Sequence, residues 1–187
     1  MKPTLLMADA GALIALAVAG VLPQTISLYK PLWVPQAVID ECTATPDAPG
    51  AAAIRAAMGR KRPRLTLIAE SEIASLDPAY AQGLGSGEVA VLADAAQHTH
   101  IALIDDRRAR ATAQRLNIAI VGSGAVLLAL KANGRIVSIR PALDAWQMRG
   151  YFVAPAVVSE RLRRAGEVWN TPQHESKIRI SFSLKPR

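Results

Sequence analysis

The sequence predicts an α/β protein in which short strands form a central, mainly parallel sheet. Residues 4–8 (TLLMA) and 101–104 (IALI) are continuous apolar runs, which are typical of strands covered on both faces of a parallel sheet. An acidic residue and then a helical pattern follow each run, which is the order expected in a βαβ unit. With 187 residues, of which 51% are hydrophobic, the chain is long enough for one core and short for two.

The composition favours a basic cytoplasmic protein with an anionic partner. The formal net charge is +7, which favours nucleic acid or a membrane surface as that partner. The single cysteine, Cys42, excludes an intramolecular disulfide and a zinc site built from cysteines. Residues 5–22 resemble a signal peptide, but the carboxylate of Asp9 within an inserted segment would cost about 2.5–3.5 kcal/mol. We therefore expect a soluble, uncleaved chain without a membrane-spanning segment.

The first candidate site residue, Asp9, follows the first predicted strand. Residues 12–19 then predict a helix that is apolar nearly all round and ends at Gly20. Open α/β sheets bind ligands outside the carboxyl ends of their strands, which is where this acid lies. Asp9 is thus either a functional carboxylate or a helix N-cap.

The second candidate, Glu41, lies on a predicted helix after the strand at residues 32–34. Pro35 suits the first turn of that helix. Glu41 shares a face with Val38 by helical spacing, whereas Asp40 points elsewhere. A carboxylate on an apolar stripe needs a partner, which is either a metal ion or a salt-bridging cation.

The third candidate, Glu88, follows a glycine-rich loop at residues 83–87. This loop lacks the spacing of a dinucleotide-binding motif and has no Walker lysine. Ser86 is predicted as the N-cap of the next helix, with Glu88 in its first turn, where an acid also complements the helix dipole. His98 and His100 at the end of this helix lack the spacing of a helical metal-binding pair, so we predict that they are surface residues.

Two adjacent acids, Asp105 and Asp106, follow the clearest predicted strand. One can face a pocket while the other caps the helix that Arg107 begins. Arg107 and Arg110 can contact phosphate groups, or they can serve as counter-ions for the aspartates.

The remaining chain completes the predicted domain. The basic run at residues 60–64 (RKRPR) is either a solvated face or a track for a phosphate backbone. A strand at residues 118–121 leads to a helix at 125–130, and two closing helices follow at 141–148 and 155–164. We predict one domain at residues 1–167 and a tail at 168–187. The alternating pattern in this tail fits an edge strand, a docking segment or a disordered segment.

With these motifs in place, the chain resembles the PIN-domain family of ribonucleases, and most closely a subgroup akin to the VapC-like toxins of bacterial toxin–antitoxin pairs. The resemblance depends on short motifs that occur together and in order: MADAGALIAL, WVPQAVIDE, LGSGEVAVLADA, LIDDRRAR and VGSGAVLLALKANGRI, then GYF and GE at residues 150–152 and 166–167. One departure is Glu88, at a position where aspartate is frequent in the family.

The resemblance implies a three-layer α/β/α sandwich and an acidic pocket that binds Mg²⁺ (or Mn²⁺) for the hydrolysis of RNA. It also implies an antitoxin protein as a partner and a homodimer. Four acids match the family's catalytic and metal-binding positions: Asp9, Glu41, Glu88 and Asp106. Asp105 is a further catalytic candidate because either of these two adjacent acids can match the family's acidic position. Substrate contacts are predicted for Ser123, Arg107 and Arg110.

The chemistry fits these residue types. Mg²⁺ prefers oxygen ligands and is usually held by one or two carboxylates together with substrate phosphates. Two alternatives stay open from the sequence. One is a non-catalytic PIN-like module that binds nucleic acid or protein. The other is a phospho-acceptor receiver domain, which would leave Glu41 and Glu88 without a role.

Overall fold

A five-stranded parallel sheet forms the centre of the protein in this computed structural model, which describes residues 5–59, 64–69, 72–73, 75–150 and 155–167. The strands are β1 (Leu6–Ala8), β2 (Leu32–Pro35), β3 (Thr66–Ile68), β4 (Ile101–Leu103) and β5 (Ile120–Val121). Their order across the sheet is β3-β2-β1-β4-β5, and every pairing is parallel. The chain thus builds outward from β1 in both directions, and the predicted α/β sandwich with a parallel sheet is confirmed.

Ten helices surround this sheet in the described part of the chain. They are α1 (Ala10–Val18), α2 (Leu22–Leu28), α3 (Gln36–Thr43), α4 (Ala51–Ala57), α5 (Pro78–Ala81), α6 (Ser86–His98), α7 (Arg107–Arg115), α8 (Ser123–Ala132), α9 (Arg140–Met148) and α10 (Pro155–Arg164). No helix among them is long and apolar enough on its own to cross a membrane. Only α1 and α2 taken together have that length and composition, and they are bent by 117°.

The core lies between the central strands and the helices that cover them. Met7 on β1 and Leu103 on β4 are fully buried, as are Leu13 and Leu16 on α1. These short strands are apolar at successive positions because neither face of a covered parallel sheet meets water. Trp146 on α9 ties the outer layer to α1, since its indole N–H donates to the Ala15 carbonyl oxygen at 2.7 Å.

Glu167 fastens the described C-terminal segment to α8 and α9. Its carboxylate accepts hydrogen bonds from Lys131 Nζ at 2.7 Å, from Ser138 Oγ at 2.6 Å and from the Ile139 amide at 2.9 Å. Burial alone would raise the pKa of Glu167, but these hydrogen bonds outweigh it and lower the pKa from 4.5 to about 2.

The structure corrects some details of the predicted elements. Helix α2 was not predicted, because its apolar residues continue the pattern of α1 and only Pro23 marks a new helix start. The N-cap of α6 is Gly85, so the assignment of Ser86 is wrong by one residue. Most of the basic run, at residues 60–63, and the tail at residues 168–187 lie outside the described residues.

Candidate metal centre

Four predicted acids lie at one edge of the sheet, where the carboxyl ends of the parallel strands meet. Asp9 follows β1 and Asp106 follows β4, and the register places Ala8 opposite Leu103, so these neighbouring strands end side by side. Strand order reverses between β1 and β4, because β2 lies on the other side of β1. This is the position at which open α/β sheets bind ligands. Helices α3 and α6 carry Glu41 and Glu88, which lie near enough to Asp9 to repel it electrostatically.

Asp9 is the buried member of this acidic cluster, with 3% of its surface exposed. Its pKa is raised from 3.8 to about 7. Burial is the largest cause, because it removes the charged form from water, and repulsion from Glu88 and Glu41 adds to it. The nearby amides of Ala10 and Gly11 favour the ionised form and offset part of the rise, although neither makes a full capping hydrogen bond with the Asp9 side chain. An ionised Asp9 is therefore costly unless a cation is near.

Glu88 lies near enough to each of the other three carboxylates to repel it electrostatically. Burial raises its pKa, and repulsion from Asp106 and Glu41 acts in the same direction. The Gly85 amide donates to Glu88 Oε2 at 2.8 Å, and Arg108 also favours the ionised form. This capping interaction fixes Glu88 in the first turn of α6, as predicted.

Close packing of α3 against α6 brings Glu41 into the cluster. A Cβ on Gly87 would lie 2.8 Å from Val38 Cγ2 and 3.3 Å from Glu41 Oε2. Only glycine lets the two helices approach this far. Glu41 is exposed whereas Asp9 is buried, so the acidic cluster is covered by protein on the Asp9 side and accessible to solvent on the Glu41 side.

The two adjacent acids after β4, Asp105 and Asp106, lie in different environments. Asp106 caps α7, since its Oδ1 accepts from the amides of Arg108 at 2.7 Å and Ala109 at 2.9 Å. It also belongs to the acidic cluster through its repulsion of Glu88. Asp105 instead accepts from the Ser123 amide at 2.9 Å. The structure therefore groups Asp105 with the start of α8, and its catalytic role stays a prediction.

The predicted substrate residues lie on the Asp105 side. Ser123 is buried as the first residue of α8. Arg110 donates to the Ile104 carbonyl oxygen at 2.9 Å and shares a groove with Asp105 and Arg161. Arg107 is exposed at the start of α7. Their contacts with substrate stay predictions.

A family model for the PIN domain matches residues 5–167 of the chain. The chain belongs to the PIN-domain family. No curated protein and no solved structure matches it significantly. PIN domains have a nuclease fold and generally depend on a divalent metal ion. The acidic cluster fits this requirement, because its four donors are all carboxylates and its buried member favours a neutralising cation.

The sequence reasoning missed a second cluster of potential ligands in this PIN domain. His98 Nδ1 lies 3.0 Å from Asp94 Oδ1, and His100 Nδ1 lies 2.8 Å from Asp94 Oδ2. His98 is exposed, as predicted, but His100 is only partly exposed and Asp94 is buried. The helical spacing of Asp94 and His98 was the available signal.

Proposed function

We propose that the protein is a ribonuclease that hydrolyses RNA phosphodiester bonds with the help of Mg²⁺ or Mn²⁺. The observation that carries the proposal is the grouping of the buried Asp9, whose pKa is raised to about 7, with Glu41 and Glu88, and of Glu88 with Asp106. Ionised carboxylates that repel one another destabilise the fold unless a cation offsets their charge. Because this arrangement of carboxylates lowers the stability of the fold, it fits a catalytic role better than a purely structural one.

Asp9 and Asp106 would hold the metal ion directly or through water. Both lie at strand ends, and Asp106 is held in orientation by two amide hydrogen bonds to one of its oxygens. Glu41 and Glu88 would complete the ring from the two facing helices. When bound, the cation would lower the pKa of an attacking water and neutralise charge on the departing oxygen.

Glu88 and Arg108 would have different roles at the acidic cluster. Glu88, half buried and held by the Gly85 amide, is placed to accept a proton from water or to orient it. Arg108 lies near enough to Glu88 to favour its ionised form, and it supplies a positive charge beside the acidic cluster. A guanidinium there would attract the phosphate backbone of the substrate.

Single-stranded or looped RNA is the proposed substrate. The net charge of +7 favours a polyanion, and the exposure of Glu41 and Asp106 leaves the acidic cluster accessible to a splayed backbone.

The test is RNA cleavage by the purified full chain with Mg²⁺, with Mn²⁺ and with a chelator. We expect cleavage only with metal, and we expect Asp9→Asn and Asp106→Asn to abolish it while circular dichroism stays unchanged. Asp40→Asn is the matched control, because Asp40 is an exposed neighbour of Glu41 that accepts from Gln36 Nε2 at 2.8 Å. Equal cleavage by the double variant of Asp9 and Asp106 would refute the proposal.

We further propose that this ribonuclease is the toxin of a toxin–antitoxin pair, that it forms a homodimer and that an antitoxin protein binds it. The support is the resemblance of its motifs to VapC-like toxins. Expression of the chain alone should arrest growth, and co-expression of the neighbouring gene should relieve the arrest. Arrest by the Asp9→Asn variant would show that the toxicity does not come from this site. A monomer by light scattering would refute the dimer.

A further inference from the structure

A second group of potential metal ligands lies at the opposite end of α6 from Glu88. Asp94 is within α6, His98 is its last residue, and His100 lies in the turn before β4. One ligand atom from each of the three residues lies within 4.8 Å of the others. Since Glu88 and His98 are ten residues apart along the helix, about 15 Å separates them. The group is therefore distinct from the acidic cluster.

The end of α6 is built so that both histidines reach the same carboxylate. Asp94 and His98 share a helical face. Thr99 then adopts a left-handed conformation, with φ 57° and ψ 37°, which turns the chain so that His100 faces back toward Asp94. This conformation is unusual for a β-branched residue and costs about 1–2 kcal/mol. Strain of this kind is often found where a site needs its ligands in fixed positions.

The charges of the group favour a divalent cation. The side chain of Asp94 is 3% exposed, and a buried carboxylate needs a compensating positive charge. The two imidazole rings are stacked, with centroids 5.3 Å apart and planes 28° apart. Each ring directs its Nδ1 at one oxygen of the Asp94 carboxylate, so the ligand atoms of the three side chains already face a common centre. A divalent cation bound there would supply the positive charge that the buried carboxylate lacks.

We propose that Asp94, His98 and His100 bind Zn²⁺. Two imidazole nitrogens and one carboxylate oxygen suit zinc, whereas Mg²⁺ prefers oxygen ligands alone. On binding, each ring would offer the lone pair of Nδ1 and carry its proton on Nε2, so the charge of the ring does not change. Zinc–ligand bonds of about 2.0–2.1 Å place neighbouring ligand atoms about 3.3 Å apart, and the ligand atoms of the three residues lie within 4.8 Å of one another, so a rearrangement of these side chains alone would complete the site.

The bound ion would connect the end of α6 to the start of β4. His98 belongs to the helix and His100 immediately precedes Ile101. The same strand leads through Ile104 and Asp105 to Asp106, so the zinc site would stabilise a strand that positions one member of the acidic cluster. We therefore expect Zn²⁺ to raise the melting temperature of the whole domain.

The test is calorimetric titration of the untagged full chain with ZnCl₂ in excess Mg²⁺, together with thermal unfolding. We expect one equivalent of Zn²⁺ to bind and the melting temperature to rise. His98→Gln and His100→Gln should each weaken binding at least tenfold and reduce that rise. His174→Ala is the matched control, because it removes the remaining histidine of the chain. It should bind as the unaltered protein does.

Two further measurements test the coordination of the ion and its independence from the acidic cluster. Co²⁺ in place of Zn²⁺ should give the strong visible absorption of a four-coordinate site, and His98→Gln should abolish it. Asp9→Asn should leave Zn²⁺ binding unchanged, so the result does not depend on the nuclease proposal. The inference is overturned if the unaltered chain binds no Zn²⁺, if both histidine variants bind as tightly as it does, or if His174→Ala removes the binding.

Discussion

Asp9→Asn should make the metal-free protein more stable at alkaline pH, although it removes a residue of the proposed active site. The pKa of Asp9 is about 7 in the folded protein and 3.8 as an unperturbed group. Because the folded state holds this proton more tightly than the unfolded state, the stability that it contributes is complete below pH 3.8. That stability is lost as the pH rises through 7. At pH 8 the ionised carboxylate therefore destabilises the fold by about 4 kcal/mol, and at pH 4 by about 0.5 kcal/mol.

The expected gain for Asp9→Asn at pH 8 is about 2–4 kcal/mol, since the amide also loses part of the hydrogen bonding that the carboxylate has. For a domain of this size that gain corresponds to a rise in melting temperature of roughly 5–15 °C. The measurement is thermal unfolding in a chelator, followed by circular dichroism at pH 4 and pH 8. Added Mg²⁺ should stabilise the unaltered protein and not the variant.

Asp40→Asn serves as the reference for this experiment, because it makes the same chemical change at an exposed position. Its effect should stay within about 0.5 kcal/mol at both pH values. If Asp9→Asn is less stable than the unaltered chain at pH 8 in chelator, the ionised Asp9 carboxylate does not destabilise the fold as we infer. A gain in stability for Asp9→Asn at pH 4 as large as its gain at pH 8 would also refute that inference.

Three further predictions concern the surroundings of the site. Glu167→Gln should destabilise the protein by about 1–2 kcal/mol at pH 7, a value reduced for partial solvent screening, since Lys131 is 26% exposed. The loss measured in urea should shrink as the pH falls from 4.5 toward 2, and a constant loss would contradict the lowered pKa. Gly87→Ala should cost about 1–3 kcal/mol despite alanine's better helix propensity, because its Cβ would overlap Val38. An unchanged denaturation midpoint would refute this. Asp105→Asn should keep metal-dependent cleavage, because Asp105 accepts from the Ser123 amide at the start of α8, and loss of cleavage would support the catalytic role predicted for Asp105.

The parts of the fold that local patterns control could be predicted from the sequence. Apolar runs followed by acids gave strands β1 and β4, because a strand covered on both faces must be apolar at every position. The position of Glu88 in the first turn of α6 followed from the glycine-rich loop before it. Helix α2 was missed because Leu22–Leu28 has the same apolar character as α1, and only the tertiary packing separates them.

The details of the site depend on geometry that spacing does not encode. Asp105 and Asp106 are both exposed acids at the end of β4, and only the direction of the turn into α7 assigns them to different neighbours. The pairing of His100 with Asp94 depends on the left-handed conformation of Thr99. A threonine is rarely expected to adopt it, so no pattern of residue types would have predicted the contact.

Under the proposed ribonuclease function, the charge distribution of the chain would couple the binding of RNA to the binding of metal. The chain is basic overall, yet the acidic cluster at the ends of β1 and β4 consists of carboxylates that would repel a phosphate. The arginines Arg108 and Arg110 lie close by, but Arg108 already interacts with Glu88 and Arg110 already donates to a backbone carbonyl. Under the proposed ribonuclease function, the scissile phosphate would therefore approach Asp9 only when a cation reverses the local charge. The basic surface alone would then hold RNA without bringing a phosphodiester bond to the acids.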